Sequence, residues 1–216
     1  MLKNQSLNYP EVTSLNSTTE KLIVMLHGWG SDGNDLINLV PYMQESLSSY
    51  HFISPHGIET YEKGPYGRQW FSLEDRNPSK ILNLVENNAS LVKNLIKMKQ
   101  KELSLTNKDT ILFGFSQGSM MGLYLTLIER NPYAATIGFS GKLIPPTNLI
   151  NRQTPICLIH GKEDDVLDCK ELEIASDYFV TNKIEHKKII IDNLKHSIDH
   201  QGIKFAIKFL QENINI

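Results

Sequence analysis

Six strand-length apolar runs punctuate the chain, and most are apolar at nearly every position rather than at alternate ones. They are KLIVML (21–26), HFISPH (51–56), TILFGF (110–115), ATIGFS (135–140), PICLIH (155–160) and EHKKIIID (185–192). A strand with one face in water alternates, whereas a strand covered on both faces stays hydrophobic throughout. The first five runs lack clean alternation, which predicts a parallel sheet between helix layers. Residues 34–48, 79–103, 117–130, 169–182 and 199–213 lie between or after the runs and carry apolar residues at helical spacing. Alternating β and α segments argue for a doubly wound α/β architecture. No repeat, low-complexity tract or linker divides residues 1–216, so they read as a single domain, and 216 residues with 40% hydrophobic content can build one large core. The first twenty residues read as a short edge hairpin.

Charge and cysteine usage narrow the function classes. The net charge is −2 and the Lys and Arg residues are scattered, so nucleic acid is not an expected partner. The N-terminal stretch MLKNQSLNYPEV shows no basic start followed by an apolar run, and no segment approaches the roughly 18 apolar residues of a membrane span. Two cysteines, Cys157 and Cys169, cannot form a disulfide framework, and Cys157 lies within an apolar run as a buried thiol. A cytoplasmic protein is the expectation. The sequence leaves a homodimer open.

Ligands of an open parallel sheet gather outside the carboxyl ends of its strands. The polar clusters of this chain fall at those ends: HGWGSDG after the first run, GFSQG after the third, HGKEDDVLD after the fifth and NLKHSIDH after the sixth. Within GFSQG, Gly114, Ser116 and Gly118 make the GxSxG pattern of a nucleophile elbow. Chance alone produces that pentapeptide in roughly one chain in fifteen of this length, so its placement between a strand and an apolar helix carries the argument. There the serine is held in a strained turn above the sheet, and glycines two positions away avoid a Cβ collision. Ser140, in GFSGK, lacks the second spaced glycine and reads as a turn residue.

A serine hydroxyl needs a base, and the base needs a carboxylate to orient it. In this type of fold the chain order is Ser, then acid, then His. His186, His196 and His200 lie far enough along the chain. His186 starts the last strand, at the wrong end of the sheet. His196 falls on the loop beyond that strand and is preferred over His200, which falls in the first turn of the final helix. Among the acids of HGKEDDVLD, Asp164 is the first choice and Asp165 the second. Asp168 reads as a helix cap, with Glu171 completing a capping box. His160 reads as a structural strand-end residue. The oxyanion hole takes the main-chain N–H of Gln117, next to the nucleophile, and a second from the HGWGSDG loop, where Trp29 is the best-placed donor.

The motifs LHGWGSDGNDL, GFSQGSMM, HGKEDDVLD and HSI, in this order and spacing, resemble the phospholipase/carboxylesterase family of α/β-hydrolases, which contains the acyl-protein thioesterases. The resemblance covers nearly the whole chain. It implies an α/β-hydrolase fold with a mostly parallel sheet and helices on both faces, and it maps the family's triad onto Ser116, Asp164 and His196 and its oxyanion positions onto Trp29 and Gln117. Lys162, Lys195, Asp165 and Asp168 depart from the family pattern. The aperiodic stretch 55–78 is long for a compact domain, and the resemblance makes it a wall of the substrate groove. Its RQWFSL part matches a pattern of bacterial members. Trp70 and Phe71 there are candidate acyl-chain contacts, with anchoring of the loop to the core as the other reading. Met120 and Met121 are expected in the core.

The expected function is a serine hydrolase that cleaves carboxylic esters, thioesters or lysophospholipids through an acyl-enzyme. Its substrate is a small ester or acylated molecule. No metal or organic cofactor is expected, because HGWGSDG lacks the spacing and Lys-Ser/Thr ending of a phosphate loop. A non-catalytic binding protein on the same scaffold is the alternative. A dienelactone-hydrolase-like enzyme would need cysteine at position 116.

Overall fold

A computed structural model describes residues 9–214. In chain order the elements are β1 (Glu11–Val12), β2 (Lys21–Leu26), α1 (Gly33–Leu36), a 3-10 segment (Ile37–Tyr42), β3 (Tyr50–Ile53), β4 (Glu59–Thr60), β5 (Arg68–Gln69) and α2 (Pro78–Leu103). There follow β6 (Thr110–Phe115), α3 (Gln117–Ile128), β7 (Ala135–Phe139), β8 (Ile156–Gly161), α4 (Lys170–Thr181), β9 (His186–Ile191) and α5 (His200–Asn213). Seven strands form one sheet in the order β1-β3-β2-β6-β7-β8-β9. Only the β1–β3 pair is antiparallel in it. β4 and β5 make a separate small hairpin.

The continuous hydrophobicity of the runs follows from this arrangement, because successive side chains enter different cores. Ile23 and Met25 of β2 and Ile111 and Phe113 of β6 pack with Ile203, Ala206 and Phe209 of α5. Leu22, Val24 and Leu26, with Leu112, pack instead with Val85, Val92 and Ile96 of α2 and Met121 and Leu125 of α3. A third cluster, built on Ile156 and Leu158 of β8, is closed by Leu172 and Phe179 of α4. Each fully buried Leu, Ile or Phe contributes about 1.5–3 kcal/mol of transfer free energy. α3 is buried along its whole length up to Leu127, which is why its sequence is apolar on every face.

The structure corrects the sequence reading in three places. The helix expected over 34–48 is one short turn followed by the 3-10 segment, since Pro41 lacks the N–H that an α-helix would need there. The run at 51–56 stops being a strand after Ile53, ahead of Pro55. Of the hairpin expected over the first twenty residues, residues 1–8 lie outside the described residues. Within 9–20, the two-residue β1 pairs with β3 rather than with a hairpin partner. Among the described residues no helix is long and apolar enough to cross a membrane.

Candidate active site

β6 ends at Phe115 and α3 begins at Gln117, so Ser116 makes the whole turn by itself. Its backbone has φ 53° and ψ −116°, a left-handed conformation that costs a non-glycine residue roughly 1–3 kcal/mol. Surrounding contacts hold it there. The Ser116 N–H donates to the Phe139 carbonyl at 2.9 Å, and its own carbonyl accepts from the Met120 N–H at 3.1 Å. The spaced glycines are steric necessities. A Cβ on Gly118 would lie 1.9 Å from the Leu26 carbonyl oxygen, and one on Gly114 would lie 2.5 Å from backbone atoms of Gly118 and Ser119.

The loop between β9 and α5 delivers His196 to this serine. His196 Nε2 lies 2.9 Å from Ser116 Oγ, and its Nδ1 lies 2.7 Å from Asp164 Oδ2. A carboxylate can only accept, so Nδ1 carries the proton and Nε2 is free to accept from the serine hydroxyl. The Phe115 ring, 5.0 Å away between centroids, packs against the imidazole.

Asp164 lies on the loop after β8, and its side chain is completely buried. Burial alone would raise its pKa. The Leu167 N–H, His196 and the Val166 N–H outweigh that, and the carboxyl is held below its ordinary value. It therefore stays ionised beside His196 at neutral pH.

The first amide of α3 belongs to Gln117, where no preceding helical turn supplies an acceptor. The Gln117 side chain turns the other way. Its Oε1 accepts the Trp70 N–H at 2.9 Å and its Nε2 donates to the Phe71 carbonyl at 2.7 Å. The loop that follows β2 adjoins the serine: a Cβ on Gly28 would lie 3.5 Å from Ser116 Cβ, and Trp29 lines the same groove as Ser116 and Gln117. Gly30 there has φ +84°, and its N–H donates to the Arg68 carbonyl. The loop's base is braced by His27, which is fully buried. His27 Nδ1–H donates to the Gly28 carbonyl and Nε2 accepts the Gly57 N–H, both at 2.8 Å. Burial, above all, lowers the His27 pKa to about 4.

A groove of about 540 Å³ opens beside the serine. Ser116, Gln117, Trp29 and Met120 are among its lining residues, and Leu73, Ile81, Leu82, Leu143, Ile144, Pro145, Val166 and Leu167 supply apolar walls. Arg76 and Lys142 are its cationic lining residues, and Lys142 is paired with Glu171 at 3.0 Å.

The structure thus brings together Ser116, His196, Asp164, Trp29 and Gln117. It does not bring Trp70 or Phe71 into the groove. Both are buried in the core, where the Trp70 indole N–H donates to the His27 carbonyl and Gln117 grips the backbone of both residues. Their size made them attractive as acyl contacts, and the same size makes them the loop's anchors. Leu73 and Arg76 of this loop line the groove instead. Met120 packs in the core and also lines the groove, while Met121 is wholly core. Asp165 is exposed, 3.9 Å from Lys195. His200 is exposed at the start of α5, and His186 is engaged with Ser176 at the far end of β9. Asp168 does accept the Lys170 N–H, but the expected capping box is absent: Glu171 pairs with Lys142, and Cys169 occupies the cap position. Sequence reasoning missed the walls from Leu82, Leu143, Ile144 and Val166, which come from separate segments with no shared local pattern.

A parallel sheet covered on both faces, with a positive-φ serine at the strand-to-helix elbow, defines an α/β-hydrolase. Residues 7–214 match the sequence profile of the Phospholipase/Carboxylesterase family, and the chain belongs to that family. It is 26% identical over 203 residues to Esterase YpfH of Escherichia coli (strain K12), covering 94% of this chain and 87% of that protein. It is 30% identical over 206 residues to Acyl-protein thioesterase 1 homolog 2 of Dictyostelium discoideum, covering 87% of this chain and 90% of that one. The crystal structure of esterase PE8 superposes with a TM-score of 0.89 at 31% identity, over 96% of this chain and 99% of the other.

Proposed function

We propose that this hydrolase cleaves carboxylic esters through an acyl-enzyme on Ser116. The carrying observation is the unbroken line from Ser116 Oγ through His196 to Asp164, at 2.9 and 2.7 Å. His196 takes the serine proton as Oγ bonds to the substrate carbonyl carbon, and the Gln117 and Trp29 amides stabilise the resulting oxyanion. The protonated imidazole then returns its proton to the departing alcohol or thiol. Water, deprotonated by the same base, attacks the acyl-enzyme and releases the acid. Asp164 keeps the Nδ1–H tautomer and stabilises the imidazolium.

The apolar groove supports an acyl chain as the bound portion, and relatives named esterase and acyl-protein thioesterase support oxygen esters and thioesters as the substrate class. A cytoplasmic location is supported by two free thiols, Cys157 and Cys169, the first buried with its pKa pushed far above the usual range. A panel of p-nitrophenyl esters and acyl thioesters of graded chain length, run on the native protein and on Ser116→Ala with fluorophosphonate labelling, tests the reading. Labelling and turnover that vanish together in Ser116→Ala support it. Turnover that persists in that variant overturns it.

A further inference from the structure

We infer that His160 is a positioning residue for the proposed triad, holding the Asp164 carboxylate and the Leu167 carbonyl in one fixed turn. The inference rests on the reading of Ser116, His196 and Asp164 given above. His160 is the penultimate residue of β8 and is 1% exposed. Its Nε2 lies 2.9 Å from the Leu167 carbonyl oxygen and 3.1 Å from Asp164 Oδ2. Neither partner has a proton to give, so Nε2 carries it: the N–H donates to the Leu167 carbonyl, with Asp164 Oδ2 in close electrostatic contact beside it.

The hydrogen bond and the contact together close a ring. Asp164 Oδ1 accepts the Val166 and Leu167 amides at 2.9 and 2.8 Å, the Leu167 carbonyl returns to His160, and His160 returns to Oδ2. Oδ2 is also the atom that receives His196 Nδ1. The acid itself is on a loop whose neighbours Glu163, Asp165 and Val166 are exposed. The strand is the rigid element, and the His160 side chain is how the strand reaches the carboxylate. Because Val166 and Leu167 also line the groove, one imidazole fixes both the acid and part of the acyl wall.

The test compares native protein, His160→Leu and His160→Gln. Leucine fills the space without a donor, and the glutamine amide places an N–H near the Nε2 position. In His160→Leu, kcat on a short-chain p-nitrophenyl ester falls by roughly 10- to 100-fold, as for loss of other outer partners that orient a reactive group. KM rises more for an octanoyl than for an acetyl ester, while the thermal transition stays cooperative. His160→Gln recovers most of the lost kcat. In parallel, proton NMR follows the low-field His196 Nδ1–H resonance, present in the native protein, broadened in the Leu variant and restored in the Gln variant. Native kcat and a native resonance in His160→Leu overturn the inference, as does a Gln variant as impaired as the Leu variant. Where His160→Leu does not fold, His160→Met takes its place. If the native protein hydrolyses no ester, the functional reading fails and the NMR comparison still decides the role of His160.

Discussion

Gln117 and Trp70 are joined across 47 residues of chain by a 2.9 Å hydrogen bond from the Trp70 N–H to the Gln117 side-chain oxygen. The amide nitrogen of the same side chain donates to Phe71. The residue that follows Ser116 therefore clamps the backbone of the long 55–78 segment, and its own N–H is the one proposed above as an oxyanion donor.

Gln117→Ala keeps that main-chain N–H and removes the clamp. Each buried backbone group left unpaired costs about 1–3 kcal/mol. Chemical denaturation is expected to show a loss of about 2–6 kcal/mol for the two groups together, and ester assays a raised KM as Leu73 loses its fixed position. Unchanged stability would remove the clamp from the account.

Strain at position 116 separates two alanine-like variants. Ser116→Ala retains a Cβ in a left-handed turn, whereas Ser116→Gly has none. Both are expected to lose at least roughly 10⁴-fold in kcat. The glycine variant is expected to be about 1 kcal/mol more stable than the alanine variant, measured by urea titration, because release of the strain exceeds the added chain entropy of glycine.

The acid assignment is tested by Asp164→Asn against Asp165→Asn. Asp164→Asn removes the charge and allows the wrong imidazole tautomer, which is expected to lower kcat by about 10⁴-fold. Asp165 is exposed beside Lys195, and its neutralisation is expected to leave kcat within about 2-fold of native, since such surface pairs contribute little. Comparable losses in both variants would move the acid.

His27 makes the fold sensitive to acid. Its Nε2 must stay unprotonated to accept from Gly57, and its pKa falls from 6.5 to about 4 in the folded chain, mainly through burial. The unfolded chain then binds the proton first as pH drops. Stability is full above about pH 6.5, declines between there and about pH 4, and levels off below, with a total loss of about 3 kcal/mol from this residue at about 1.4 kcal/mol per unit. Asp164 has the opposite intrinsic charge and the same sense: its lowered pKa gives stability above the ordinary carboxylate range that is lost at still lower pH. His27→Gln, which offers one donor and one acceptor without titrating, is expected to flatten the pH 4–6.5 slope in urea titrations. An unchanged slope would place its cause elsewhere.

Groove depth is tested by filling it. Leu82→Trp narrows the cavity at an apolar wall without touching the serine, and kcat/KM for octanoyl esters is expected to fall at least about 10-fold more than for acetyl esters, in line with the 1–3 kcal/mol carried by a few methylenes. Equal losses for both chain lengths would mean that the acyl chain binds elsewhere.

The polymer order of this protein was legible because its strongest determinants are local. Covered strands must be apolar throughout, as in TILFGF, and an elbow serine needs glycine at 114 and 118 because backbone lies within 3 Å of any Cβ there. Chain order left three histidines and four acids, and position relative to the strand ends favoured His196 and Asp164 as partners of Ser116. Tertiary packing decided what no local pattern encodes. It sent Trp70 and Phe71 inward as anchors, built the groove from segments around residues 73, 82, 120, 144 and 167, and set His160 against Asp164. An aromatic side chain has the same composition whether it meets a ligand or a core, and only the positions of its neighbours in space determine which surface it loses to water.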